Sequence, residues 1–287
     1  MPLPAAPDWW PDPQLQQKPI NEVFACNRKN QPPAYSHFVN FPRLEIPLQG
    51  VYENKIDRQG QLVQLHVHPG QALFAPPNCW NLPVWRPGLQ LMSLLFGKKQ
   101  MGVSIVTVPA KKRQTLSALK FFLPRPVTGP VPHILEAILD LSNNGDPSAP
   151  LAELTRALLW SVRDLFRQPA APASSRAHSL LENICIHLQE HYQQNVTRDA
   201  IAHQFRISPN HLSRLFQSHG HMTFNSYLTH VRIDRAKYLL QNYELKLDDL
   251  ATRCGYHDTP YFCRVFKKIT KSTPIEYRLR TQVKPAP

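Results

Sequence analysis

The spacing of hydrophobic residues changes once along this 287-residue chain. Between Val23 and Val108 short apolar runs at 38–41, 51–52, 62–67, 73–74, 89–96 and 103–108 are separated by turn-forming residues at 58–60, 69–70, 76–78 and 86–88. Short runs punctuated in this way predict an antiparallel sandwich or small barrel. From Val131 onward apolar positions recur at i, i+3 and i+4, which predicts helices over 131–141 and 151–168, broken by an Asn- and Gly-containing stretch at 143–147. Small residues and proline at 169–175 interrupt the pattern again and read as a linker. The expectation is an α+β chain of two domains, a β-rich one with flanking helices and an all-α one.

Within 178–280 one pattern is written twice. Ala202 answers Ala251, Ser208 answers His257, and Leu212, Arg214 and Phe216 answer Phe262, Arg264 and Phe266. The offset slips from 49 to 50 inside the turn, so the second turn is one residue longer. In the first copy Thr197 caps a helix over 198–204, 205–207 form a turn, and Ser208 with Pro209 opens the next helix. In the second, Gly255 supplies the left-handed residue past a helix end, Asp258 caps the next helix, and Pro260 falls in its first turn, where a missing N–H costs little. Leu212, Leu215 and Phe216, like Phe262, Val265 and Phe266, form one inward stripe. Asn210, Ser213 and Arg214, and Thr259, Cys263 and Arg264, are left outside. This is a helix-turn-helix, twice over.

Between the copies 223–242 reads as a single helix carrying Phe224, Tyr227, Leu228, Val231, Arg235, Tyr238 and Leu239. It spans roughly 30 Å, a length that holds two reading helices near one DNA turn, about 34 Å, apart. The residues Thr273, Pro274 and Glu276 make a capping box that opens a last helix ending at Arg280.

These positions resemble the AraC/XylS family of bacterial transcription regulators. The resemblance rests on Ala202, Ser208–Pro209, Leu212–Ser213–Arg214 and Phe216, and on Tyr227–Leu228, Arg232–Ile233, Ala236 and Leu239–Leu240. It rests further on Leu250–Ala251, Gly255–Tyr256, Tyr261–Phe262, Arg264, Phe266–Lys267–Lys268, Thr273–Pro274 and Tyr277–Arg278. It covers about a third of the chain. Lys271 departs from it, standing where the family usually has Gly. The resemblance implies a cupin-like N-terminal barrel that senses a small-molecule effector (a sugar or related metabolite), with flanking helices that dimerise or simply cover the barrel. It also implies double-stranded DNA and RNA polymerase as partners, and action as an activator. The hairpin at 69–77 resembles that of the family's sensor barrels.

On this reading 1–20 is a Pro-rich flexible arm and 21–168 the sensing and possible dimerisation domain. A linker, 169–176, leads to the DNA-binding domain, 177–282, and a tail, 283–287. The formal net charge is +13, and 176–287 holds 16 Lys+Arg against 9 Asp+Glu, an excess that suits a polyanion partner. Five scattered cysteines show neither a disulfide framework nor zinc-ligand spacing. With no signal peptide and no apolar run long enough to cross a bilayer, a cytoplasmic protein is expected.

Candidate base-reading residues are Asn210, Ser213 and Arg214 in the first reading helix and Thr259, Pro260, Cys263 and Arg264 in the second. Arg forks onto guanine and Asn suits adenine; a salt bridge to a neighbouring carboxylate is the alternative for the arginines. Arg206, Lys267, Lys268 and Arg278 are the candidates for phosphate, which raises affinity without selecting sequence. For the effector only weak candidates exist: His66, His68 and Trp80.

His66 and His68 match the opening of a metal-binding cupin motif, but its Glu is replaced by Gly70, Gln71 and Ala72, so no metal and no cofactor is expected. His187, Glu190 and His191 spell a metallopeptidase His-x-x-Glu-His, read as coincidental, with the histidines opposite the buried Leu181, Ile184 and Leu188. His219 and His221 are expected near phosphates or at a helix end. No enzymatic activity is expected. The competing readings are a metal-dependent cupin enzyme with an appended DNA domain, and a constitutive DNA binder with a vestigial barrel.

Overall fold

Residues 43–49, Arg-Leu-Glu-Ile-Pro-Leu-Gln, build an interior strand of the first domain because both of its faces find a partner. The computed structural model describes residues 19–281 apart from 27–29, 34–35, 98–100, 111–116, 124–128, 144–147 and 168–175. The predicted arm up to Lys18, the linker residues 169–175 and the tail lie outside the described residues. Ile20, assigned to the arm, is already core at 1% exposure.

The strands are β1 (Glu22–Ala25), β2 (His37–Phe38), β3 (Arg43–Gln49), β4 (Tyr52–Arg58) and β5 (Gln61–Val67), then β6 (Gln71–Ala75), β7 (Trp80–Val84), β8 (Gln90–Phe96), β9 (Met101–Thr107) and β10 (Ser117–Leu123). They form a six-stranded sheet in the order β1-β6-β3-β8-β9-β10 and a four-stranded sheet in the order β2-β7-β4-β5. Among the described residues no ladder closes the two sheets into the expected barrel; the β-rich domain is an open sandwich. Nor is it purely antiparallel, since β1 pairs parallel with β6, Glu22 opposite Gln71. Helices α1 (Val131–Asn143) and α2 (Ser148–Arg167) come next in the chain.

Successive side chains on a strand point to opposite faces. Leu44, Ile46 and Leu48 of β3 therefore join Phe74, Met92, Leu94 and Val103 in a core with Val131, Leu135 and Ile138 of α1 and Leu158 and Val162 of α2. The helices cover the outer face of the larger sheet. The opposite face meets the smaller sheet through a second core that includes Tyr52, Ile56, Val67, Leu73 and Leu91. Pro47 is tolerated because the β3–β8 register shifts between Pro47 and Gln49.

The chain divides into two units between Ser179 and Leu180. The second contains most of α3 (Arg176–His191), then α4 (Arg198–Gln204), α5 (Pro209–Gly220), α6 (Phe224–Asn242), α7 (Leu247–Arg253), α8 (Thr259–Thr270) and α9 (Pro274–Thr281). Helix α6 is central: Leu228, Ile233, Ala236, Leu239 and Leu240 are all buried. From it the Arg232 side chain donates through Nε to the Tyr192 carbonyl (2.9 Å) and through Nη2 to the Gln194 carbonyl (3.1 Å). These bonds satisfy acceptors just past the end of α3, which that helix cannot satisfy itself. The same guanidinium lies over the Tyr256 ring at 5.3 Å, so one side chain joins the entry helix, the connector and the second helix-turn-helix. Among the described residues no helix is long and apolar enough to cross a membrane.

Candidate nucleic-acid interface

Both reading helices are set by the same chain of local bonds. The copies differ only at the start, where Thr197 accepts from the Ala200 N–H to open α4 and Lys246 opens α7 without a side-chain bond. At the turn Phe205 N–H donates to Ile201 O and Ile207 N–H to Ala202 O; in the second copy Cys254 N–H donates to Leu250 O and Tyr256 N–H to Ala251 O, with all four distances 2.9–3.0 Å. Such closure puts one residue in the left-handed region. That residue is Gly255 (φ 79°) in one copy and Arg206 (φ 54°) in the other. Ser208 then accepts from His211 N–H and Asp258 from Tyr261 N–H, fixing where α5 and α8 begin.

The repeat runs further than the motif residues suggest. Each reading helix ends at a second left-handed residue, His221 (φ 52°) and Lys271 (φ 63°), fifty positions apart. Thr223 and Thr273 cap the next helices, and Tyr227 and Tyr277 pack on Phe216 and Phe266 with ring centroids 5.7 and 5.5 Å apart. These equivalences are visible in the sequence once the offset of fifty is carried past Phe216.

Lys271, where the family usually has Gly, thus occupies a conformation that costs an L residue roughly 1–2 kcal/mol, partly offset by the roughly 0.5–1 kcal/mol that glycine loses in chain entropy. Lys271→Gly is expected to stabilise the DNA-binding unit by about 0.5–1 kcal/mol. Urea unfolding checks this; an unchanged or lowered midpoint would show that the Lys271 side chain makes up for its backbone.

The candidate readers differ in what else they do. Asn210, Arg214, Pro260 and Arg264 are exposed. Among the described residues neither arginine has a carboxylate partner, and the Arg264 guanidinium lies 6.0 Å from the Tyr261 ring. Ser213 is half-buried and its hydroxyl donates back to the Pro209 carbonyl at 3.1 Å; the Thr259 hydroxyl donates to Asp248 at 2.7 Å. Partial burial, and then Asp248, push the Cys263 thiol up, so it is a neutral, weak donor. Two residues that the motif reading passed over share the exposed face: His211 and its equivalent Tyr261, 52% exposed. Their signal was the repeat itself, since both stand three residues after the cap.

Arg206, Lys267 and Lys268 are exposed, whereas Arg278 is half-buried and its Nη2 donates to the Leu245 carbonyl at 2.5 Å, holding the loop before α7. The charge is uneven. Helix α8 carries Arg264, Lys267 and Lys268, where α5 has Arg214, Gln217 and Ser218.

The histidines distribute otherwise than expected. His187 is not on the open side of α3: it is buried at 6% exposure, its ring 5.7 Å from Phe205 in the first helix-turn-helix turn. The helix packs against the double motif with a wider face than the leucine stripe alone, which drew His187 inward. His66 and His68 are both exposed, His66 across the ladder from Glu53, and so face solvent rather than a cavity. Trp80 is in the core at 1% exposure, its indole N–H donating to the Asn30 carbonyl at 3.0 Å.

Between the sheets lies a polar cluster that sequence reasoning missed. Arg43 pairs with Glu45 at 3.2 Å and donates to Asn81 Oδ1 at 2.6 Å, while Asn81 Nδ2 and the Tyr52 hydroxyl both donate to Glu45. Burial, and then Glu45, push the Tyr52 phenol up, so it stays a donor. Asn54, two residues along the same face of β4, is fully buried, and neither atom of its amide has a partner among the described residues. Burying a polar group without a hydrogen bond is costly. Nothing local marks these positions, because charges at alternate positions of a strand ordinarily read as a solvent face.

Known proteins share much of this sequence. A protein family described as "Helix-turn-helix domain" matches residues 201–280. The uncharacterized HTH-type transcriptional regulator YijO of Escherichia coli is 34% identical over 90% of this chain and 88% of its own length. The uncharacterized HTH-type transcriptional regulator YpdC, also of Escherichia coli, is 34% identical over 94% and 92%. The HTH-type transcriptional activator RhaR of Salmonella dublin is 34% identical over 48% of this chain and 49% of its own length. Two relatives matched along nearly their whole length, and a double motif whose turns and reading-helix caps are repeated, lead to one conclusion: the chain belongs to the AraC/XylS family of helix-turn-helix transcription regulators and binds DNA.

Proposed function

We propose that the chain is an effector-controlled transcription activator that places α5 and α8 in successive major-groove segments of its operator. The observation that carries this reading is the pair Arg214 and Arg264, exposed at equivalent positions fifty residues apart and without a carboxylate partner among the described residues. Asn210, His211, Pro260 and Tyr261 complete the base-facing set. Ser213, Thr259 and Cys263 sit behind them with their polar atoms engaged or weak. Arg206, Lys267 and Lys268 clamp phosphates, and Arg278 supports the loop beneath.

The test is sequencing of host DNA fragments retained by the purified protein. The expected result is a shared site with two short boxes about one helical turn apart; retention without sequence preference would sink it. Because α8 is the more cationic helix, Lys267→Ala is expected to weaken binding to cognate and unrelated DNA alike and to lower the slope of log affinity against log salt by about 1. Fluorescence anisotropy across a salt series checks this, and an unchanged slope would remove Lys267 from the phosphate set.

The Asn54 amide, without a partner among the described residues and on the same strand face as Tyr52, supports a small hydroxylated effector held between the sheets, sugar-like as the family resemblance implies. Effector and DNA then change one another's affinity by the same factor. The output is occupancy of DNA, and contact with RNA polymerase, by a cytoplasmic protein that pairs as a homodimer; it is not catalysis. A sugar panel read by thermal shift tests the sensing role: a stabilising ligand is expected to lose its effect in Asn54→Leu. No stabilisation by any member would favour the constitutive reading.

A further inference from the structure

The helix that leads into the DNA-reading unit carries a cluster that the reading helices do not use. His187, Glu190 and His191 each offer one ligand atom, and these atoms all lie within 4.8 Å of one another. The spacing i, i+3, i+4 puts all three on one face within about one turn. The two imidazole rings are 4.3 Å apart between centroids. His187 is buried while Glu190 and His191 are half-buried, so the cluster has a buried floor and a more open side. Beyond that floor stands the first helix-turn-helix: the Gln204 amide lies 3.4 Å from His187 Nδ1 and the Phe205 ring packs edge-on against the imidazole. With the Gln204 amide turned so that its oxygen faces the ring, Nδ1–H donates to it and Nε2 is left to ligate, the orientation typical of metal-binding histidines.

We propose that His187, Glu190 and His191 bind one divalent transition-metal ion of the zinc class on α3, beside the turn of the first helix-turn-helix. Two imidazoles and one carboxylate suit zinc or cobalt, whereas magnesium and calcium favour all-oxygen sites. Bonds of about 2.0–2.2 Å bring ligand atoms to about 3.4 Å from one another. Rotation of the half-buried Glu190 and His191 side chains closes that gap while Phe205 holds His187 in place. Three protein ligands leave a fourth position for water. Gln204 and Phe205 belong to the first motif alone, so the ion acts on one reading unit and leaves the other as it is.

Full-length protein stripped with EDTA and titrated with Co²⁺ tests this, monitored by the visible d–d absorption and by displacement with Zn²⁺. The expected result is saturable uptake of one ion per chain that Mg²⁺ does not compete for. That uptake is at least about tenfold weaker in Glu190→Gln and in His191→Asn, substitutions at half-buried positions that spare the buried His187, and unchanged in a His66→Asn/His68→Asn variant; the 10–100-fold losses known for ligand-shell changes set this scale. Uptake unaltered by His191→Asn, or lost in the His66/His68 variant instead, overturns the assignment. DNA retention by the zinc-free protein is a separate readout, so failure here leaves the double reading of DNA intact.

Discussion

Arg264→Ala is expected to remove discrimination at one box of the operator while leaving most of the affinity for unrelated DNA. An arginine that forks onto a guanine edge contributes about 1–3 kcal/mol of discrimination, about five- to 150-fold. Arg214→Ala should do the same at the other box. Helix α6, 19 residues long, spans about 28 Å, which keeps the two sites well apart, and distant sites without shared partners behave additively. The double variant should therefore lose the sum of the two effects and approach non-specific binding. Competition assays with sites altered in one box at a time are the decisive measurement. If either variant weakens cognate and scrambled DNA by the same factor, that arginine is a phosphate contact and the base-reading role passes to its neighbours. Tyr261 is the first of these, since its ring lies beside Arg264 on the same exposed face.

The largest effect on stability is expected from Gly255→Ala. A Cβ at this position would lie 2.5 Å from the Tyr192 carbonyl oxygen and 3.0 Å from Arg232 Nε, with φ at +79°. The left-handed backbone alone costs alanine roughly 1–2 kcal/mol. Relief of the clash requires Arg232 and the end of α3 to part, which sacrifices a charged hydrogen bond worth about 1.5–3 kcal/mol. The expected destabilisation is about 2.5–5 kcal/mol, the sum of these two costs and a large share of the roughly 5–15 kcal/mol that holds a domain folded. Gly220→Ala is the control. A Cβ there meets only Leu181 and Phe216 side chains at 3.4 Å or more, its φ is not positive, and the next residue, His221, is the one that turns left-handed. Alanine in a helix is favoured by up to about 1 kcal/mol over glycine, so this variant should be neutral or more stable. Denaturant unfolding of both variants measures the contrast. Equal midpoints would mean that the second turn relaxes freely and that Arg232 is not its clamp.

Much of this molecule is dictated by neighbours in sequence. The double motif, its caps at Thr197, Ser208 and Asp258, the left-handed Gly255, the long connector and the change from a strand-rich to a helical pattern are all short-range signals. Each depends on a hydrogen bond or a packed pair no more than a few residues apart, so the residue types at those spacings carry the information. The same locality explains why Arg206 reads in the sequence only as a cation. An arginine in a left-handed turn carries no mark of its own, and its equivalence to Gly255 emerges from the repeat.

Only the tertiary structure decided what depends on partners far away along the chain. Arg278 resembles Lys267 and Lys268 in the sequence, yet it is engaged by a carbonyl 33 residues away. His187 looked like a solvent-facing residue until α3 met Phe205. The parallel pairing of β1 with β6, the open two-sheet sandwich and the buried group Arg43, Glu45, Tyr52, Asn54 and Asn81 have the same origin. A polar side chain at an alternating position is equally compatible with water or with a buried partner. The choice is made when a second element arrives to satisfy the group or to leave it wanting, and that arrival is a property of the assembled chain.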